Sequence, residues 1–98
     1  MDGTITSSTT VMASTDQVSC DLAGEAAILN LKNSVYYGLD TVGARIWTLV
    51  QEPITVGAVR DAMLREYDVE PERCERDLID LLQKLAAEGL IAIKSAAA

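Results

Sequence analysis

The run ILNLKNSVYYGLDTVGARIW, Ile28 to Trp47, changes its structural grammar within a few turns of chain. Two short apolar segments flank Asn33 and Ser34, and apolar residues then recur at helical spacing from Val42 onward. A strand places successive side chains on opposite faces, whereas a helix gathers every third or fourth residue on one face. The chain must therefore fold back as a hairpin and enter a helix at once. Asn tolerates the positive φ of a tight turn, so the pattern predicts a two-residue turn at Asn33-Ser34. That turn sets Leu31 opposite Tyr36, Asn30 opposite Tyr37, Leu29 opposite Gly38 and Ile28 opposite Leu39. Leu29, Leu31 and Tyr36 then share one face, and Ile28, Val35, Tyr37 and Leu39 the other. Neither face is polar, so both are expected to be covered at least in part.

Outward from this hairpin the pattern extends in both directions. VSCDL (Val18 to Leu22) meets a turn signal at Ala23-Gly24, and VMAS (Val11 to Ser14) reads as a short edge strand. Asp40 or Thr41 caps a first helix running to about Gln51, with Val42, Ile46, Leu49 and Val50 on its stripe and Trp47 beside it. Thr55 caps a second, with Val56, Val59, Met63 and Tyr67 inward. Pro71 opens a third, where its missing amide is harmless. Cys74, Leu78, Leu81, Leu82 and Leu85 form its stripe, Glu72 and Arg76 an i,i+4 ion pair, and Gly89 the stop after Glu88. LIAI (Leu90 to Ile93) is a final strand or apolar tail. The expected fold is α+β: a small three-stranded antiparallel sheet followed by three helices, winged-helix-like. Residues 1–10 are expected as a disordered tail, 11–93 as one domain and 94–98 as a frayed end.

Charge and residue usage narrow the chemistry. Fifteen acidic against eight basic residues give a net charge of -7. A nucleic-acid backbone or an anionic membrane surface needs the opposite balance, so neither is expected as a partner. The opening MDGTITSSTT lacks the basic and greasy regions of a secretion signal, and no apolar run approaches membrane-spanning length. A cytoplasmic location follows as the expectation. With no His, the commonest general base and metal ligand is missing. Cys20 and Cys74 stand far apart, form no ligand pair, and read as small apolar residues in a reducing compartment. The carboxylates around Glu66 to Glu72, and Asp77 with Asp80, read as solvated faces and helix-end charges. The glycines are scattered and make no phosphate-binding loop. No metal, cofactor or catalytic residue is expected. The second and third helices have the shape of a helix-turn-helix, but Arg73 and Arg76 sit among Glu72, Glu75, Asp77 and Asp80. A winged-helix transcriptional regulator is therefore the alternative, with the shape but not the charge.

An interaction module remains. A strand at a sheet edge offers unpaired amides and carbonyls to an extended peptide, and a neighbouring helix supplies a wall. The competing expectation is that Val11 to Ser14 covers that edge and both tyrosines merely fill the core.

The runs YYGLDTVGARIW and ITVGAVRDAMLREYDVEPERCERDLIDLLQKLAAEGLI resemble the PqqD-like leader-peptide recognition domains. The likeness extends over Val18 to Ile93 and is nearest to the stand-alone leader-binding protein of lasso-peptide biosynthesis. The resemblance implies a non-catalytic protein that takes the leader of a ribosomally made precursor peptide as an added strand. It also implies presentation of that precursor to a cysteine-protease-type leader peptidase and, beyond it, a cyclase. Carried onto this chain, the receiving strand is Val35 to Leu39, with Val35, Tyr36, Tyr37 and Leu39 shaping the near wall. Arg73, Cys74, Asp77, Leu78 and Leu81 of the third helix form the far wall. Two positions depart from the family pattern: Asp40 replaces the usual Asn after the strand, and Ser34 stands where the hairpin turn commonly has Gly.

Overall fold

The computed structural model describes residues 5–94. Its elements are β1 (Thr10–Ala13), β2 (Gln17–Leu22), β3 (Glu25–Asn30), β4 (Val35–Leu39), α1 (Thr41–Leu49), β5 (Ile54–Thr55), α2 (Val56–Glu66), α3 (Pro71–Ala87) and β6 (Ile91–Lys94). The expected antiparallel sheet is β2-β3-β4, and the three helices follow it. A second antiparallel sheet, β5-β1-β6, is also present, which the sequence pattern did not assemble. Val11 to Ala13 belongs there and leaves the outer edge of β4 without a paired strand.

Each helix starts and stops where its local chemistry directs. The Asp40 carboxylate accepts from the Gly43 amide at 2.9 Å and caps α1. Thr55 Oγ1 accepts from the Ala58 amide at 3.2 Å and caps α2. Pro71 occupies the first turn of α3. The other end of α3 is a Schellman closure. Gly89, at φ +76°, donates its amide to Ala86 O at 3.0 Å, and Leu90 donates to Leu85 O at 2.9 Å. The buried Leu85 and Leu90 side chains accompany it. On this helix the i,i+4 ion pair is Arg73 with Asp77, at 3.9 Å, in place of the expected Glu72 with Arg76.

The core gathers Ile28 from the first sheet, Val11 and Ile91 from the second, and the inward stripes of the helices. These stripes are Ile46, Trp47 and Val50, then Val56, Val59 and Met63, then Leu78, Leu82 and Leu85. Ile5 joins them at 4% exposure. The expected tail is thereby corrected for residues 5–10. Thr9 O accepts from the Val56 amide at 2.9 Å, and Ser7 O from the Gly57 amide at 2.8 Å. The first amides of a helix have no partner within it, so this segment completes the start of α2. Residues 1–4 and 95–98 lie outside the described residues; Lys94, expected to fray, ends β6.

The hairpin register differs from the expected one by two residues. Asn30 pairs with Val35, Leu29 with Tyr36, Ile28 with Tyr37, Ala27 with Gly38 and Ala26 with Leu39. The turn spans Leu31 to Ser34 because Asn30 organises it. Its carbonyl accepts from the Ser34 amide at 2.8 Å, and its Oδ1 accepts from the Lys32 amide at 2.9 Å. Asn33 Oδ1 accepts from the Val35 amide at 3.0 Å. A shift of two preserves the alternation of faces, so every side chain keeps its expected side. The left-handed residue is Ser34, at φ +59°, rather than Asn33. At the β2–β3 turn, Ala23 at φ 57° and Gly24 at φ 91° make the paired positive-φ geometry of a tight hairpin.

Two stability changes follow. Ser34→Gly relieves a side chain from the left-handed region and is expected to raise stability by about 1 kcal/mol, measured by urea unfolding. Ile5→Ala is expected to destabilise by roughly 2 kcal/mol, as a buried large-to-small change does. A truly mobile tail would leave the midpoint unchanged.

Candidate functional site: an open strand edge beside an apolar cleft

The free edge of β4 borders a cleft of about 640 Å³. Its lining comes from four parts of the chain: the end of β4, the first turns of α1, the end of α2 with the loop after it, and one side of α3. Buried Ile46, Met63 and Leu78 contribute apolar surface, joined by half-buried Leu39, Tyr67, Cys74 and Leu81. Val42 and Val69 are exposed at the same cavity, where solvent would normally favour polar residues. Gly43 belongs to the lining for a packing reason. A Cβ there would meet the Leu39 Cβ at 3.2 Å, so glycine lets α1 begin hard against the end of β4.

Beyond Gly38 the sheet is tied to the far end of α3. The Tyr37 hydroxyl donates to the Glu88 carboxylate, and Asn30 Nδ2 donates to Glu88 O at 2.7 Å. Asn30 is buried at 4% exposure, with both ends of its amide satisfied. The bond to Glu88 holds the Tyr37 hydroxyl above its ordinary pKa, with burial and the Glu88 charge acting in the same direction. One end of the β4–α3 space is thus latched by hydrogen bonds, while the other opens into the cavity.

The residues named from sequence divide into two groups. Leu39, Arg73, Cys74, Asp77, Leu78 and Leu81 come together around the cavity. Val35, Tyr36 and Tyr37 lie on the edge strand but are not part of the cavity lining. Tyr37 forms the latch. Tyr36 projects from the opposite face at 70% exposure. That face was expected to be at least partly covered, yet Val18, Leu22, Leu31 and Tyr36 are all solvent-exposed on this hairpin sheet. Val18, Leu29 and Tyr36 form one cross-strand row there. Cys20, expected as a small apolar residue, is exposed on the same sheet, and both cysteines are free.

Sequence reasoning missed the contributions of Val42, Ile46, Met63, Tyr67, Asp68, Val69 and Glu70 to the cavity. The signal that was there is Val69, an aliphatic residue set among acidic ones in the turn DVEPE.

Burial, aided by the Asp77 charge, pushes the Cys74 thiol up, away from the nucleophilic thiolate. Arg45 grips Glu66 with a forked contact at 2.8 and 2.7 Å, tying α1 to α2 behind the cleft and holding the Glu66 carboxyl below its ordinary range. Among the described residues no group of His, Cys, Asp and Glu has metal-binding geometry, and no helix is long and apolar enough to cross a membrane.

An unpaired strand edge next to an apolar cleft defines a domain built to accept an extended chain along its sheet. The chain belongs to the PqqD family: the family described as Coenzyme PQQ synthesis protein D (PqqD) matches residues 25–91. Among solved structures it is similar to TbiB1 in complex with the TbiA(beta) leader peptide. The two share 39% identity at a TM-score of 0.77, over 82% of this chain and 93% of that one. No curated protein matches it.

Leu78 and Leu81 separate core from site. Leu78 is 2% exposed and Leu81 only half-buried. Leu78→Ala is expected to destabilise by about 2–5 kcal/mol in urea unfolding. Leu81→Asp is expected to leave a cooperative fold, with the loss appearing in peptide affinity. Equal affinity in a folded Leu81→Asp variant would remove that residue from the site.

Proposed function

We propose that this protein recognises the leader segment of a ribosomally made precursor peptide, of the lasso type, and presents it to a leader peptidase. The observation that carries this reading is the uncovered β4 edge running into an apolar cleft, in a fold shared with a leader-bound relative. The leader adds as a fourth strand beside β4. Its backbone completes the ladder, and alternate side chains enter the cleft against Leu39, Cys74, Leu78 and Leu81. An extended peptide is disordered before it binds, so a few buried anchors must offset the ordering entropy. The protein performs no chemistry of its own; the cysteine protease and the cyclase act on the precursor in the cytoplasm.

Presentation needs a surface that stays free when the leader is bound, and the outer face of β2-β3-β4 has that character. The Val18–Leu29–Tyr36 row is apolar and open, and an added leader strand extends this same face by one strand. A peptidase seated there touches both the protein and the outward side chains of the leader. The winged-helix regulator is not favoured, because Glu72, Asp77 and Asp80 are exposed on α3 and would face phosphates of like charge.

Titration of the isotope-labelled protein with the leader of the precursor encoded beside its gene tests the binding step. A Kd of about 1 μM or tighter is expected, with the largest amide shifts in β4 and α3. No shifts with an authentic leader would refute the proposal. For presentation, Tyr36→Ser is expected to leave leader affinity within twofold or so while slowing peptidase cleavage by roughly tenfold, the scale of one lost interface anchor.

A further inference from the structure

Gly38 sits exposed in β4, and nothing in its own fold asks for a glycine there. Its φ lies outside the left-handed region, and a Cβ added to it would meet no atom within 4 Å. Gly43 is the contrast, since a Cβ there would press on Leu39. A strand glycine costs stability and packs nothing, and it often marks a place where a ligand or another backbone approaches. The hydrogen-bond ladder shows which way Gly38 turns its backbone. Leu31 N donates to Asp16 O at 3.0 Å, continuing the β2–β3 register by one pair beyond Gln17 and Asn30. Bonded and non-bonded pairs alternate along an antiparallel ladder. Odd-numbered residues of β3 therefore bond to β2 and even-numbered ones to β4, which makes Asn30–Val35, Ile28–Tyr37 and Ala26–Leu39 the bonded pairs. The amides and carbonyls of Tyr36 and Gly38 are left pointing at the open edge. On either side of them the ladder is already taken: Ser34 N donates to Asn30 O, and Asp40 O accepts from Ala44 N. Tyr36 and Gly38 thus carry the receiving backbone.

We infer that Gly38 is a specificity-determining position: the leader residue paired with it carries a large apolar side chain that lies across the glycine on the outer face of the sheet. This rests on the leader-binding reading above and names a side-chain class that the edge selects. Paired residues place their side chains on the same face, and successive residues alternate faces. The side chain beside Gly38 therefore stands on the outer face, whichever way the leader runs, while its neighbour beside Leu39 turns toward the cleft that Leu39 lines. Arriving from the edge, a large side chain crosses Gly38 unobstructed and reaches Ala27, the partner of Gly38 in β3, with half-buried Leu29 diagonal to it. Covering Ala27 and Leu29 removes apolar surface from water, and a cross-strand pair of this kind stabilises the added strand. Any Cβ at position 38 would stand in that path. The edge therefore selects two adjacent large residues in the leader, one entering the cleft beside Leu39 and one lying outward over Gly38.

Selection from a displayed random-peptide library tests this, performed in parallel on the wild-type protein, on Gly38→Val and on Leu81→Asp. Wild type is expected to enrich peptides with two adjacent large apolar residues. Trimming either one to Ala is expected to weaken binding to wild type roughly tenfold, the scale of one lost anchor. Gly38→Val is expected to hold or raise the urea midpoint, since valine suits an extended strand, yet to bind a wild-type-selected peptide about tenfold more weakly. One of the two trims should then cost Gly38→Val nothing further, while the other keeps its full effect. A pool with a single apolar anchor, a lowered midpoint in Gly38→Val, unchanged affinity in that variant, or both trims costing it as much as wild type would overturn the inference while leaving leader binding intact. If Leu81→Asp enriches the same pool as wild type, the cleft is not the peptide site and both readings fall together.

Discussion

The buried side chain of Asn30 is the joint on which the site depends. One amide group joins the hairpin turn, through Lys32, to the carbonyl of Glu88 at the end of α3. An apolar residue there would remove both bonds, to the Glu88 carbonyl and from the Lys32 amide, at about 0.5–1.5 kcal/mol for each. The consequence is geometric as well as energetic. Glu88 is also the partner of the Tyr37 hydroxyl, so β3 and β4 are both referred to the residue that caps the end of α3. With that end fixed and the Schellman closure ending the helix, the spacing between β4 and α3 is set by hydrogen bonds rather than by side chains filling the gap. A cleft can therefore stay empty without the walls collapsing onto each other.

An open strand edge is a hazard as well as a receptor, since it accepts any extended chain, including another copy. This fold limits the hazard by length and surroundings. β4 has five residues and is followed at once by Asp40, in a chain of net charge -7. Like charge works against self-pairing of two copies there. The second sheet contributes indirectly. By engaging β1 between β5 and β6, it removes the one early strand that was free to close the β4 edge.

Legibility in the sequence followed the kind of interaction involved. Side-chain patterns located α1, α2 and α3 closely, because caps at Asp40 and Thr55, Pro71 and Gly89 each have one local physical role. The faces of β3 and β4 were also legible, since alternation survives an even shift in register. The register itself was not, because it turns on Asn30 accepting two amides within its own turn, a choice that periodicity does not encode. Residues 5–10 were misread for a related reason. Their sequence, with Ile5 the only aliphatic residue among hydroxyl-bearing ones, gives no amphipathic signal, and their main anchorage is backbone to backbone at the start of α2.

The site was legible to the extent that it shared residues with the core. Leu39, Cys74, Leu78 and Leu81, which the family resemblance names, line the cavity, and they are also positions where a strand end and a helical stripe predict apolar surface, whether it faces the interior or a ligand. What the stripe cannot separate is a side chain that packs against its own fold from one that waits for a partner. That distinction requires the path of the α2–α3 loop, which brings Asp68 and Val69 to the same cavity as Leu39. In a chain this small the same apolar layer serves both purposes: Ile46, Met63 and Leu78 hold the helices together while also lining the cavity. Selectivity is then left to the residues at the rim, where substitutions do not touch the core. Asp68, Glu70 and Arg73 line the cavity as exposed residues, so exchanging them leaves the packing of the helices in place.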